Sequence, residues 1–139
     1  MALHVHILTH TKTLYDEDGG AVLLPATEGQ MEVLPRHIPF VVLLDTGVVA
    51  VKRDDRELFE CTVSSGIAYL SNDDLTVFAD AAETIDTIDL ARANAAVDEA
   101  RDWIERHRAD PIMHQAGLKY LRRAENRIRF VQERRKIKK

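Results

Sequence analysis

Three arginines are the first residues to weigh as chemistry. Arg123 and Arg127 are four apart, so a helix would carry both on one face. A chain reversal near Asp110 sets Arg92 of a preceding helix level with Arg127, and Val97 level with Arg123. Arg92, Arg123 and Arg127 would then converge near the start of the first helix, beside Asp89 and Glu83. Clustered cations need a counter-ion, guanidinium forks match phosphate oxygens, and a helix amino terminus adds a favourable dipole. Such a cluster suits a phosphorylated ligand. An Asp89–Arg92 pair with solvated arginines accounts for the same spacing, and the residues alone leave both readings open.

Few other side chains invite chemistry. His4 and His6 share one face of an alternating strand and could form a two-ligand pair. No Cys or carboxylate lies nearby in sequence to complete it, so no metal is expected. Cys61 is the single cysteine, which excludes an intramolecular disulfide; within ELFECTV it reads as a small core residue. Ser64-Ser65-Gly66 reads as a turn. No phosphate loop, dinucleotide fingerprint, HExxH or GxSxG is present, so the chain is not expected to be an enzyme on its own.

The elements that must position these residues change character between Leu75 and Ala93. Before Asp80 the apolar residues alternate or run in short bursts; from Asp86 they recur every three or four positions. Leu3–Thr9 alternates. An acidic turn is expected at Asp16–Gly20, a buried strand at AVLLP, a short strand over Met31–Leu34, and then a proline-bounded loop. FVVLLD and VVAVKR, broken at Thr46-Gly47, fit a hairpin. KRDDRE is a polar turn, and ELFECTV, GIAYL and LTVFA follow, separated by SSG and SNDD. Eight or nine short strands so spaced predict an antiparallel sandwich or barrel over residues 1–84.

Two helices are expected over 85–139. The first, capped by Asp86 or Thr87, runs to about His107 with Leu90, Ala93, Val97, Ala100, Ile104 and His107 as its stripe. Pro111 opens the second, which carries Gly117, Leu121, Ala124, Ile128 and Val131 on one side to about Arg135. The short break predicts an antiparallel hairpin with a thin, alanine-rich seam, opened at a cost on the order of a few kcal/mol.

Charge is unevenly spread. The chain of 139 residues carries −4 overall, yet Leu118 onward holds ten Lys or Arg against two Glu, a net of +8, leaving −12 on the first 117 residues. That asymmetry points to an acidic partner, nucleic acid or an anionic surface. Only Tyr120 and Phe130 are aromatic in the basic stretch, a poor supply for stacking bases, so nucleic acid is the lesser alternative. The amino terminus lacks the basic start and apolar run of a signal peptide, and no stretch approaches a membrane span, so no direct membrane insertion is expected.

EGQMEVLPRHIPFV (Glu28–Val41), TVSSGIAYL (Thr62–Leu70), LTVFADAAE (Leu75–Glu83), IDLARA (Ile88–Ala93) and RRAENRI (Arg122–Ile128) resemble, in order and spacing, the epsilon subunit of bacterial and chloroplast F-type ATP synthases. The resemblance implies an α+β chain: a flattened antiparallel β-sandwich, residues 1–84, followed by a two-helix hairpin, 85–139. It implies a central-stalk rotor subunit whose sandwich binds the gamma subunit and sits on the c ring, coupling the two in proton-driven ATP synthesis. Mobile helices that extend toward the alpha and beta subunits would inhibit ATP hydrolysis. Lys119, Arg122, Arg123, Arg127, Arg129, Arg134 and Arg135 would then form the inhibitory basic helix. Some members bind ATP in the folded hairpin, and Ile88, Asp89, Arg92 and Ala93 match their motif, with Glu83, Arg123 and Arg127 as contributors. Glu99 departs from an arginine in those members, and Arg101 lies about 200° away around the helix. Gln30 and His37 lie where the family touches the c ring, Gln30 standing where members often have glutamate, while Glu32, Arg36 and Ser65 replace usual glycines. ATP is thus implied as a regulatory ligand, with no cofactor required. The implied location is peripheral, on the cytoplasmic face of a bacterial plasma membrane or the stromal face of a thylakoid.

Overall fold

Inward-facing valines, leucines and isoleucines at every second position build the first unit of this computed structural model, which describes residues 2–137 and side chains as far as Arg135. Lys138 and Lys139, counted in the basic tail, lie outside the described residues, as does the side chain of Lys136. The chain divides into two compact units between Thr84 and Ile85.

The first unit contains ten strands: β1 (Leu3–Leu8), β2 (Thr13–Gly19), β3 (Ala21–Ala26), β4 (Gly29–Val33), β5 (Phe40–Leu44), β6 (Gly47–Arg53), β7 (Arg56–Val63), β8 (Gly66–Ser71), β9 (Asp74–Ala79) and β10 (Ala82–Glu83). Their order is β10-β7-β6-β3-β5-β8-β9-β1-β2, with β4 also on β3. A single residue pair, Ala26–Leu44, joins β3 to β5. The strands on either side of that joint form the two layers of a β-sandwich. Leu3, Val5, Ile7, Val22, Leu24, Val49, Val51, Val63, Leu70, Leu75 and Val77 fill the space between them. All pairings are antiparallel except β1 with β9, which is parallel.

Two expected turns form tight hairpins. Asp54 and Asp55 (φ 49° and 64°) link β6 to β7, and Asn72 and Asp73 (φ 51° and 62°) link β8 to β9. Positive φ at both central residues matches the strand twist, and Asn and Asp tolerate it. Two expectations are corrected. β5 and β6 do not pair with each other; β5 pairs with β8, and β6 with β3 and β7. The Asp45-Thr46-Gly47 connection instead swings the chain between layers. There the Thr46 hydroxyl donates to the Ser64 carbonyl (3.0 Å), and a Cβ on Gly47 would lie 2.6 Å from Pro25 Cβ. Asp16–Gly20 is not a turn either: Asp16–Gly19 continue β2 along β1, with only Tyr15 and Gly19 of that strand buried. An edge strand rich in acids is protected from pairing with another chain.

The second unit is a helical hairpin, α1 (Leu90–Arg106) and α2 (Pro111–Ile137). The cap of α1 is Asp89, later than the expected Asp86 or Thr87, because the Asp89 carboxylate accepts the Arg92 backbone N–H at 3.1 Å. Asp110 caps α2 by accepting from the amides of Ile112 and Met113 (3.1 and 3.2 Å), and Pro111 takes the first position, which needs no donor. Ala96, Val97 and Ala124 form the seam with Leu121 and Ile128. Trp103 reinforces its closed end: its indole N–H donates to the Met113 carbonyl at 2.7 Å, and its ring stacks on His107 at 4.0 Å. No described helix is long and apolar enough to cross a membrane.

Candidate functional site

Strands β5 and β8 carry apolar residues on both faces, and β9 adds Phe78 at its end to the outer one; sequence reading missed what that means. Their outward residues are Val41 and Leu43, Ile67 and Tyr69, and Phe78. The register sets Val41 opposite Tyr69, Leu43 opposite Ile67, and Ile67 opposite Phe78. Val41 is 69% exposed, Leu43 62% and Tyr69 47%, making a contiguous apolar patch on a sheet face that polar residues usually occupy. The signal was present in FVVLL, an unbroken apolar run where a half-solvated strand would alternate.

Gln30 lies within β4, near its start, and His37 lies beyond its end. Gln30 is exposed beside the β3–β4 turn, opposite Pro25. His37 sits in the loop beyond the strand's other end, where Nδ1 donates to the Ile38 carbonyl (2.8 Å) and the ring meets Phe40 edge-on (5.2 Å). Arg36 adopts φ 70°, a left-handed conformation that explains why glycine suits this position, and its amide donates to Asp73 Oδ1 at 2.7 Å.

Within the helical unit, Asp89 serves as the helix cap, so its link to Arg92 runs through the Arg92 amide. Arg92 is exposed, Arg123 and Arg127 are half-buried, Ile88 is half-buried and Ala93 is buried. Glu83 belongs to the first unit, where β10 pairs with β7 and the Glu83 carbonyl accepts from the Thr62 hydroxyl (3.3 Å). Two grooves flank the helical seam. One of about 390 Å³ is lined by Glu99, Trp103, Gly117 and Tyr120; the other, about 440 Å³, by Asp98, Arg101, Glu125 and Arg129. Glu99 and Arg101 therefore open to opposite sides, and neither groove's lining includes Asp89, Arg92, Arg123 or Arg127.

The basic face of α2 is not uniform. Lys119, Arg122, Arg129 and Arg135 are exposed. Arg134 is drawn inward: its guanidinium lies 3.9 Å from the ring centre of the buried Phe130 and donates to the Phe130 carbonyl (3.4 Å) and Glu133 (3.3 Å). Phe130 itself is 1% exposed and stood outside the expected stripe.

A second polar constellation was not legible near His4 and His6 in sequence. β2 and β9 bring three carboxylates to the pair: His4 Nδ1 to Asp18 (2.8 Å), His4 Nε2 to Asp16 (2.8 Å), His6 Nδ1 to Asp16 (2.9 Å) and His6 Nε2 to Asp74 (3.0 Å). Hydrogen bonds to Asp18 and then Asp16 raise the His4 pKa above its ordinary value. Cys61 is held as the neutral thiol, pushed up to about 12 by burial and then by Glu60.

The ATP synthase delta/epsilon chain beta-sandwich domain matches residues 2–85. The chain is 39% identical over 105 residues to the ATP synthase epsilon chain of Synechococcus elongatus, covering 76% of each. It is 33% identical over 126 residues to that of Halalkalibacterium halodurans, covering 91% of this chain and 94% of that one. Among solved structures, a chain of the Euglena gracilis mitochondrial ATP synthase (OSCP/F1/c-ring, rotational state 1) aligns with a TM-score of 0.77. That alignment covers 90% of this chain and 78% of the other at 20% identity, a likeness of fold.

Proposed function

Because the chain belongs to the ATP synthase delta/epsilon family, as an epsilon chain of the F-type enzyme, we propose that it is a non-catalytic rotor subunit whose sandwich docks the gamma subunit through the Val41–Tyr69 face. The observation that carries this reading is the apolar patch, which a free-standing sheet would leave in contact with water. The exposed charges on α2 support the second half of the proposal, in which the helices restrain ATP hydrolysis by engaging acidic surfaces of the alpha and beta subunits. Gln30 and His37 are the proposed c-ring contacts, and the assembly would hold the chain at the cytoplasmic face of a bacterial membrane (or the stromal face of a thylakoid).

Co-purification with the gamma subunit tests the docking. Changing Val41→Asp and Tyr69→Ser together, at exposed positions, is expected to abolish capture while leaving the β signal in circular dichroism. Undiminished capture would reject this face. Deleting residues from Ala109 onward in the reconstituted complex is expected to raise ATP hydrolysis; an unchanged rate rejects the inhibitory role and leaves the coupling role standing.

The half-buried pair Arg123 and Arg127, on one face of α2, favours a second reading in which the folded hairpin holds ATP. Asp89, Ile88 and Ala93 would shape the start of α1, and Arg92, Arg123 and Arg127 would meet phosphates. Calorimetry with millimolar ATP on the full chain, against Arg92→Ala, decides it. No heat from the unaltered chain would sink the sensor reading.

A further inference from the structure

We propose that His4, His6 and Asp16 form a surface site for a transition-metal dication of the zinc class, independent of the subunit's role in rotation. Strand register brings these residues together. His4 and His6 are two apart on β1 and project from the sheet's outer face, while Leu3, Val5 and Ile7 fill the core. The antiparallel pairing with β2 sets Asp16 opposite His6 and Asp18 opposite His4. The parallel pairing with β9 sets Asp74 beside His4. Carboxylates far away in sequence thus flank the imidazoles on both sides.

His4 Nε2 and His6 Nδ1 converge on one oxygen, Asp16 Oδ1, at 2.8 and 2.9 Å. One ligand atom from each of the three residues lies within 4.8 Å of the others. A tetrahedral ion with bonds near 2.0–2.1 Å needs its ligands about 3.3 Å apart. Each contact to Asp16 must therefore open by about half an ångström, a small rotamer change for side chains 32–55% exposed.

The other two nitrogens are an independent indication. His4 Nδ1 faces Asp18 (2.8 Å) and His6 Nε2 faces Asp74 (3.0 Å). Metal-bound histidine typically donates its remaining N–H to a carboxylate, which fixes the tautomer and raises ligand basicity. Here each ring has such a carboxylate on the side away from Asp16. Two imidazoles and one carboxylate favour zinc, nickel, cobalt or copper over magnesium and calcium, which prefer all-oxygen shells. The fourth position would be left to water.

The test uses the full chain without a polyhistidine tag, in a non-coordinating buffer at pH 7.5. Zinc titrated into it by calorimetry is expected to bind one per chain. Two-dimensional NMR should show ring shifts confined to His4 and His6, with His10, His37, His107 and His114 unmoved. His6→Gln and Asp16→Asn are each expected to weaken binding by about tenfold or more, and Asp74→Asn by about tenfold. Magnesium should give no heat. Absent binding at millimolar zinc would overturn the site, assigning the cluster to imidazolium–carboxylate pairing alone. Binding that persists at full strength in a folded His4→Gln/His6→Gln variant would overturn it too, by placing the metal elsewhere.

Discussion

Cys61 shows how a single side chain is governed by its surroundings. Its place on β7 turns the sulfur into the core, and burial holds the thiol pKa at about 12 against an ordinary 9.0. The folded chain should therefore resist thiol reagents at pH 8 and react only once denatured, which a colorimetric disulfide reagent with and without guanidinium would show. The sign for stability follows from proton counting. Above about pH 9 the unfolded chain releases the thiol proton while the folded chain keeps it, so this group's contribution makes stability fall as pH rises. Denaturant melts of Cys61→Ala should lose that slope, although the cavity itself will lower stability throughout.

At the scale of elements, the helical hairpin depends on close approach more than on area. The seam is mostly Ala96, Val97 and Ala124, so little apolar surface is buried there. Gly117 lets α2 lie against Trp103 and Ile104; a Cβ added there would fall 2.7 and 2.8 Å from their side-chain carbons. Gly117→Ala should gain helix propensity yet lose packing, for a net destabilisation of about 1–2 kcal/mol in the melting of the helical signal. A melt shifted upward would show that the two helices part easily at that end. The cap is a separate lever. Asp89→Ala should cost about 1 kcal/mol, whereas Asp89→Asn should be close to neutral because asparagine caps as well. A loss of ATP heat in Asp89→Asn with an unchanged melt would mark the carboxylate as a ligand and not merely a cap.

At the scale of the whole molecule, the two units have separate cores. Every member of the sandwich cluster comes from residues 3–82 and every member of the hairpin seam from residues 96–128. A fragment of residues 1–84 is therefore expected to fold alone, with a cooperative β melt and retained capture of the gamma subunit. Loss of the cooperative transition on truncation would mean that the sandwich needs the helical unit to stay folded.

The strands' alternation, the Asp and Asn turns, the 3–4 spacing of the helices and the Asp110-Pro111 break were all legible in the sequence, because each is a local preference written in neighbouring residues. So was the division near Thr84. Tertiary structure decided the rest. The swing of β5 and β6 into different layers depends on Gly47 meeting Pro25, twenty-two positions away. The acids around His4 and His6 come from β2 and β9, and their closeness is a consequence of register, which no local window contains. The exposed patch likewise appears only once alternate residues of β5, β8 and β9 are laid side by side. Local pattern sets which element forms and which face is apolar; the pairing of distant strands determines what each outward face presents.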